Sequence, residues 1–136
     1  NDEKVLVFNA VTTSTAIDFT EDFESTPTLP SNWVINNPDG GLTWEAENVN
    51  VSVNGSSTTT LFVDGAVYSN RGTIDTFDTE YFDSNYNGNP VLSFDLAKAQ
   101  WSSSYNDALR VEISTDCGQT FTEIYFKDGL SLSTIL

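Results

Sequence analysis

The sequence predicts an all-β fold, a sandwich of short strands, and three observations carry that expectation. Apolar and polar residues alternate in short runs, most clearly where Leu109, Val111 and Ile113 are set against Arg110 and Glu112; a period of two is that of a half-buried strand. Clusters of Gly, Pro, Asn, Asp and Ser interrupt these runs roughly every 8–12 residues, the rhythm of a β-sandwich. No stretch carries a convincing helical period, and the polarity comes mainly from Ser, Thr, Asn and Gln, since only 18% of residues are charged. Thr and Val favour strands while Asn and Asp favour turns.

Taken in order, Val5 to Phe8 and Ala16 to Phe19 are short strand candidates joined by a Thr/Ser-rich link. Glu21-Asp22-Phe23-Glu24 follows, and Pro27 and Pro30 then break regular structure, because proline lacks the N–H that a ladder needs. Trp33-Val34-Ile35 is a third strand, ended by the dense turn signal Asn36-Asn37-Pro38-Asp39-Gly40-Gly41. Val49 to Val53 alternates and turns at Asn54-Gly55, and Thr60 to Val63 stops at Asp64-Gly65. Asn70 to Asn89 is polar but holds Ile74, Phe77, Tyr81 and Phe82, so packed loop plus an edge strand is expected there. Val91 to Ala99 is the clearest strand, with Leu92, Phe94 and Leu96 on one face, and Trp101 to Asp107 is a long Ser/Tyr/Asn loop. After the last strand, Gly129 to Leu136 trails off. No linker divides residues 1–136, which form one domain of a size that supports one core.

The most specific stretch is Ser114-Thr115-Asp116-Cys117-Gly118-Gln119-Thr120-Phe121, which fits the S-x-D-x-G-x-T-F pattern called an Asp-box. Alternation on both sides of a Gly-containing loop signals a hairpin. The Asp116 carboxylate is placed to accept N–H bonds across the turn, Gly118 to take a positive φ, and Phe121 to anchor the loop on the sheet. A degenerate copy lies upstream, where Asp39, Gly41, Thr43 and Trp44 repeat the spacing of Asp116, Gly118, Thr120 and Phe121. Asx-type bonding accounts for both spacings, so Asp116, Gly118, Asp39 and Gly41 are expected as structural turn residues.

Composition excludes several function classes. The formal charge is −15, from 20 acids against five bases, Lys4, Arg71, Lys98, Arg110 and Lys127. Phosphate backbones and anionic lipid require clustered Lys and Arg, so nucleic acid is excluded as a partner. The acidity suits a solvated extracellular surface and is compatible with bound Ca²⁺, a hard cation that takes oxygen ligands. There is no histidine and one cysteine, which removes Ser-His-Asp and Cys-His catalysis and His-ligated zinc. Cys117 is either free at the hairpin tip or joined to another polypeptide. No run approaches the about 20 apolar residues of a membrane span, so no membrane insertion is expected, and Asn1-Asp2-Glu3-Lys4 opens as a mature segment would rather than as a signal peptide.

A longer pattern emerges from the order of several motifs: Asp22-Phe23-Glu24, Leu29-Pro30-Ser31-Asn32-Trp33, Asn37 to Trp44, Asn89-Pro90-Val91-Leu92-Ser93-Phe94-Asp95-Leu96-Ala97, and Asp107 to Gly118. Over about residues 17–132 this order resembles the MAM-like jelly-roll domains of secreted bacterial metallopeptidases and adhesins, and is similar to the cleaved-adhesin domains of gingipain-type proteases and to modules exported by type IX secretion. The resemblance implies a two-sheet antiparallel jelly roll, non-catalytic and stabilised by Ca²⁺, secreted or on the bacterial cell surface. It would act as an adhesive or accessory domain of a larger surface protein or peptidase. It further implies calcium ligands at Glu24 and Asp107, with Asp39 or Asp64 adding to them. The Asn-Pro-Asp-Gly-Gly loop here is poorer in Asp than the corresponding loop of gingipain-type relatives. Family domains also continue with more strands beyond the equivalent of Leu136, so the resemblance implies a sandwich incomplete at its C-terminus. The remaining strands of the domain, another chain or a swapped dimer would complete it.

The aromatic residues divide by setting. Trp33 and Trp44 flank turns on expected strands and suit core packing. Trp101 and Tyr105 lie in the Ser-rich loop and suit contact with a ligand, which makes a carbohydrate-binding module the alternative function. The partner in either case is a protein or glycan at the cell surface. A fragment of a glycoside hydrolase is a further alternative, since paired carboxylates suffice for that chemistry and Asp-boxes recur in sialidases. A sialidase propeller, however, needs several blades and an arginine cluster, whereas this chain has only Arg71 and Arg110. Asn50-Val51-Ser52 and Asn54-Gly55-Ser56 match the N-glycosylation triplet, which is frequent by chance in an Asn/Ser-rich chain.

Overall fold

The computed structural model describes residues 19–25, 28–50, 56–68, 71–82 and 89–134, together with the main chain of 3–9. Among these residues the elements are β1 (Glu3–Asn9), β2 (Val34–Asn36), β3 (Glu45–Asn50), β4 (Ser57–Phe62), β5 (Ile74–Asp78), β6 (Ala108–Ser114), β7 (Thr122–Asp128) and one helical turn, α1 (Gly129–Leu132). The fold is all-β, as expected. Five strands form one sheet in the order β2-β5-β1-β6-β7, and β3 and β4 form a separate antiparallel pair.

β1 departs from the antiparallel expectation. It lies parallel to β5, with Leu6 opposite Phe77, and parallel to β6, with Leu6 opposite Val111. Its sequence, Val5-Leu6-Val7-Phe8, is a continuous apolar run rather than an alternating one, a pattern usual for parallel strands inside a sheet. The other ladders in this sheet are antiparallel, β2 with β5 and β6 with β7. In β7 the alternation is interrupted: Tyr125 pairs with Val111 and Glu123 with Glu112, which leaves Ile124 without an opposite residue. This bulge places Glu123 across from Glu112, and its carboxylate meets Arg110 Nε at 3.3 Å.

The region around β5 differs most from its sequence pattern. The expected edge strand is an interior one, flanked by β2 and β1. Asp75 and Phe77 are its buried side, with buried Thr79 just past its end, and because two of these three are polar the apolar pattern of a core strand is missing. Val91 to Ala99, expected as the clearest strand, belongs to neither sheet. Val91 is 85% exposed, and Leu92 and Phe94 are each 41% exposed. Alternation makes a strand only where a neighbouring strand offers its N–H and C=O groups. Here the segment is held instead by an edge-to-face contact of Phe94 on Tyr125 at 5.3 Å and by the Thr134 N–H donating to Lys98 O at 2.9 Å. Gly129 to Leu132 does not trail off but forms α1, whose Leu132 is buried. The Ser131 hydroxyl accepts the Asp128 N–H at 3.1 Å at the start of that turn.

Other boundaries shift modestly. Val49 to Val53 corresponds to β3, which starts at Glu45, and Thr60 to Val63 corresponds to β4, which starts at Ser57. Ala16 to Asp18, Pro27, Val51 to Gly55 and Ile135-Leu136 lie outside the described residues, and with them the remainder of the expected second strand and both glycosylation triplets in part. Phe19 itself is in no strand.

The core is aromatic. Phe77 on β5 is stacked on Trp33 at 5.3 Å and meets Trp44 edge-on at 5.2 Å. Phe23 packs edge-on against Trp33 at 5.8 Å, and Phe19 lies between Trp33 and Phe82. Each such pair contributes about 0.5–1.5 kcal/mol beyond the area it buries. Trp33 and Trp44 therefore take the packing role expected of them. Ala108, Val111 and Leu132 add a second buried group beneath β6 and α1.

Candidate functional site

The acidic residues singled out by the sequence are held by protein donors. At the end of β6 the buried Ser114 hydroxyl accepts the Gly118 N–H at 2.8 Å and donates to Asp116 Oδ1 at 2.8 Å. Asp116 Oδ1 also accepts the N–H groups of Thr120 at 2.8 Å and Gln119 at 3.1 Å, while Oδ2 accepts the Thr120 hydroxyl at 2.5 Å. These donors, the Thr120 hydroxyl foremost, hold the Asp116 carboxyl down to about 2, because each favours the charged form. Cys117 and Gly118 take φ of 63° and 78° at the tip, and the Cys117 thiol is exposed and free. Phe121, expected to anchor the loop, is 41% exposed. The hydrogen bonds of Ser114 and Asp116 make the turn self-supporting.

The Asn37–Trp44 loop uses its carboxylate differently. Asp39 Oδ1 accepts the Gly41 N–H at 2.7 Å, and Asn37 Nδ2 donates to Gly41 O at 2.8 Å. Asp39 Oδ2 accepts the hydroxyl of Tyr68 at 2.7 Å, and that hydroxyl also bonds Thr73 Oγ1 at 2.5 Å. The Tyr68 phenol is pushed up to about 12, chiefly by burial, with the charges of Asp39 and Asp75 adding to it and the Thr73 bond opposing it. Trp44 closes the loop onto β5, its Nε1 donating to Asp75 O at 3.2 Å.

Glu24 joins its segment to the two-stranded sheet. Its Oε1 accepts the Thr58 hydroxyl at 2.5 Å and the Thr59 N–H at 2.9 Å. The Thr58 bond is the main reason its carboxyl lies below the usual range. Just before it, Glu21 accepts the Phe23 N–H and Asp22 accepts the Glu24 N–H, a tight turn in which Phe23 has a φ of 59°. Asp107 is ion-paired with Lys98, and its carbonyl accepts the Gly129 N–H at 2.9 Å. Asp64 accepts the Ala66 N–H at 3.0 Å. A Cβ placed on the adjoining Gly65 would stand 3.7 Å from Lys98 Nζ and 3.9 Å from Asp107 Oδ2. The fold thus brings the Asp64 turn up to Asp107, while Glu24 serves β4 and Asp39 serves Tyr68.

The calcium site that the resemblance implies would draw on these same carboxylates. Ca²⁺ takes six to eight oxygens, yet among the described residues no group of three or more His, Cys, Asp or Glu side chains is placed to hold a metal. The Lys98 ammonium is paired with Asp107 Oδ2, and Thr58 and Thr59 donate to Glu24 Oε1.

The Trp101 loop is of another kind. Trp101 is 80% exposed and Tyr105 42% exposed. Yet the loop is tied at several points: Tyr105 N–H donates to Ser102 O at 3.1 Å, Ser104 N–H to Ser102 Oγ at 3.2 Å, and Gln100 Nε2 to Tyr105 O at 2.8 Å. Its exit is fixed by Asn106 Nδ2 donating to Asp128 Oδ2 at 3.3 Å. The Arg71 guanidinium lies over the Tyr105 ring at 5.1 Å.

Four residues escaped sequence reasoning: Lys98, Tyr68, Arg71 and Asp75. Lys98 carried a signal, as one of five bases among 20 acids and nine residues before an expected ligand. Nothing local marked Tyr68 or Arg71, since Asp39 is 29 residues from Tyr68 and Tyr105 is more than 30 from Arg71. No family model, curated protein or solved structure matches this chain. Among the described residues no helix is long and apolar enough to cross a membrane.

Proposed function

We propose that the chain is a non-catalytic β-sandwich module that acts by binding, as a secreted or cell-surface adhesive or accessory domain of a larger bacterial surface protein or peptidase. The observation that carries this reading is the Trp101 loop, which is braced by hydrogen bonds yet holds a large aromatic 80% exposed to solvent. Exposed aromatics on ordered loops are characteristic of contact surfaces. The carboxylates support the same reading from the other side. Asp116, Asp39, Glu24 and Asp107 are each engaged with hydroxyl, amide or ammonium donors that stabilise turns and strand edges.

The test pairs binding with turnover. Fluorescently labelled chain should bind intact bacterial cells or their surface material saturably, with unlabelled chain competing, and should release no product from chromogenic glycosides. Turnover that disappears on replacing a single carboxylate would overturn the proposal.

A further inference from the structure

We infer that Trp101, Tyr105 and Arg71 form a recognition platform for a neutral glycan, which rests on the non-catalytic binding reading and gives its ligand a chemical class. Trp101 and Tyr105 share one loop, and Arg71, more than 30 residues earlier, is brought over the Tyr105 ring at 5.1 Å. A pyranose presents an apolar C–H face and an edge of hydroxyls, so its receptor needs a flat aromatic surface beside donors and acceptors that remain in water. The loop supplies both. The Trp101 indole is 80% exposed, and exposed Ser102, Ser103 and Ser104 follow it directly. The guanidinium of Arg71, held over the Tyr105 ring, adds a fork of N–H donors.

Two features select this ligand over others. A protein hot spot is an aromatic enclosed by a dense ring of further contacts, whereas Trp101 is flanked by hydroxyl and amide side chains. A charge of −15 repels acidic polysaccharides and nucleic acid at long range, which leaves neutral sugars as the favoured partners. The bracing by Gln100, Ser102 and Asn106 sets the loop before binding, so little ordering entropy is lost in the complex.

The experiment uses the whole chain and a panel of soluble neutral oligosaccharides (β-glucan, mannan, galactan and chitin fragments). Binding is read by calorimetry and tryptophan fluorescence, with product analysis of the same mixtures. At least one panel member binds saturably and is recovered uncleaved. Trp101→Ala lowers its association constant by about tenfold or more, and Arg71→Gln by about threefold. Both variants keep the parent melting temperature, since neither side chain is in the core. Binding that is unchanged in Trp101→Ala overturns the platform, as does a folded chain that binds no panel member. If such a chain still binds cells, the adhesive reading stands without the glycan, and loss of that binding after protease treatment of the cells assigns a protein ligand instead. Cleavage of a bound oligosaccharide overturns the non-catalytic reading itself.

Discussion

Asp116 and Asp39 occupy equivalent places in two loops of the same spacing, yet their carboxylates are satisfied in different ways. Asp116 collects donors from Ser114, Gln119 and Thr120, all within four residues, and its loop closes on itself. Asp39 takes one local N–H, from Gly41, and then reaches Tyr68, 29 residues on. The flanking aromatics differ as well: Phe121 is 41% exposed, whereas Trp44 is fastened to Asp75 and Phe77. A motif defined by spacing fixes which residue types meet in the turn. Whether the loop serves as a local clasp or a long-range tether depends on what packs beside it.

The largest expected effect comes from the tethered side. Phe77→Ala removes the ring on which both Trp33 and Trp44 pack, and should cost about 3–5 kcal/mol in a denaturant titration. Amide exchange should then quicken in the Asn37–Trp44 loop well before the Ser114–Phe121 turn. Equal loss in both would mean that the clasp also depends on the aromatic core. Ser114→Ala is the converse test, since it leaves the Gly118 N–H without its acceptor and removes a donor from Asp116. It should cost about 1–3 kcal/mol, with the change in exchange confined to the β6–β7 turn.

Tyr68→Phe is milder. It deletes the hydroxyl between Asp39 and Thr73 and should cost about 1 kcal/mol. In the parent chain the Tyr68 phenol should ionise near 12 by ultraviolet absorbance, and Asp39→Asn should lower that value. Because its proton is bound more tightly in the folded state, this group's stabilisation is complete below pH 10 and is lost as pH rises toward 12. Asp116 has the opposite sign. Its folded-state value of about 2 lies below the unfolded one of 3.8, so its contribution is complete above about pH 4 and is lost as pH falls toward 2. Glu24 shifts in the same direction. Acid titration of Asp116→Asn should show a shallower loss of stability over that interval than the parent.

The comparison also explains what could be read from the chain itself. The β6–β7 hairpin was legible because its determinants are local: alternating residues, a Gly at a positive φ and a carboxylate within reach of the turn amides. The aromatic packing role of Trp33 and Trp44 was legible for a similar reason, since each flanks a strong turn signal. β5 was not, because its buried face is Asp75 and Phe77, with buried Thr79 just past its end, and so lacks the apolar pattern of a core strand. Val91 to Ala99 misled in the opposite sense, having the pattern of a strand while, among the described residues, it belongs to neither sheet and only its last residue, Ala99, makes a β-bridge. The placement of β1 between β5 and β6 is a long-range pairing that periodicity does not encode. For the site, Asp107 and Trp101 stood out in sequence, but the cover of Tyr105 by Arg71 exists only once distant segments meet, and the pairing of Asp107 with Lys98, nine residues earlier, depends on the course of the loop between them.

The central proposal is that the acidic residues of this chain tie its own turns and strand edges together rather than ligate a metal. Its most direct measurement is the melting temperature of the whole chain in excess calcium and in EDTA at neutral pH. The Lys98–Asp107 pair and the Thr58 and Thr59 bonds to Glu24 predict the same temperature in both. A higher temperature in calcium that Asp107→Asn or Glu24→Gln abolishes would contradict the claim.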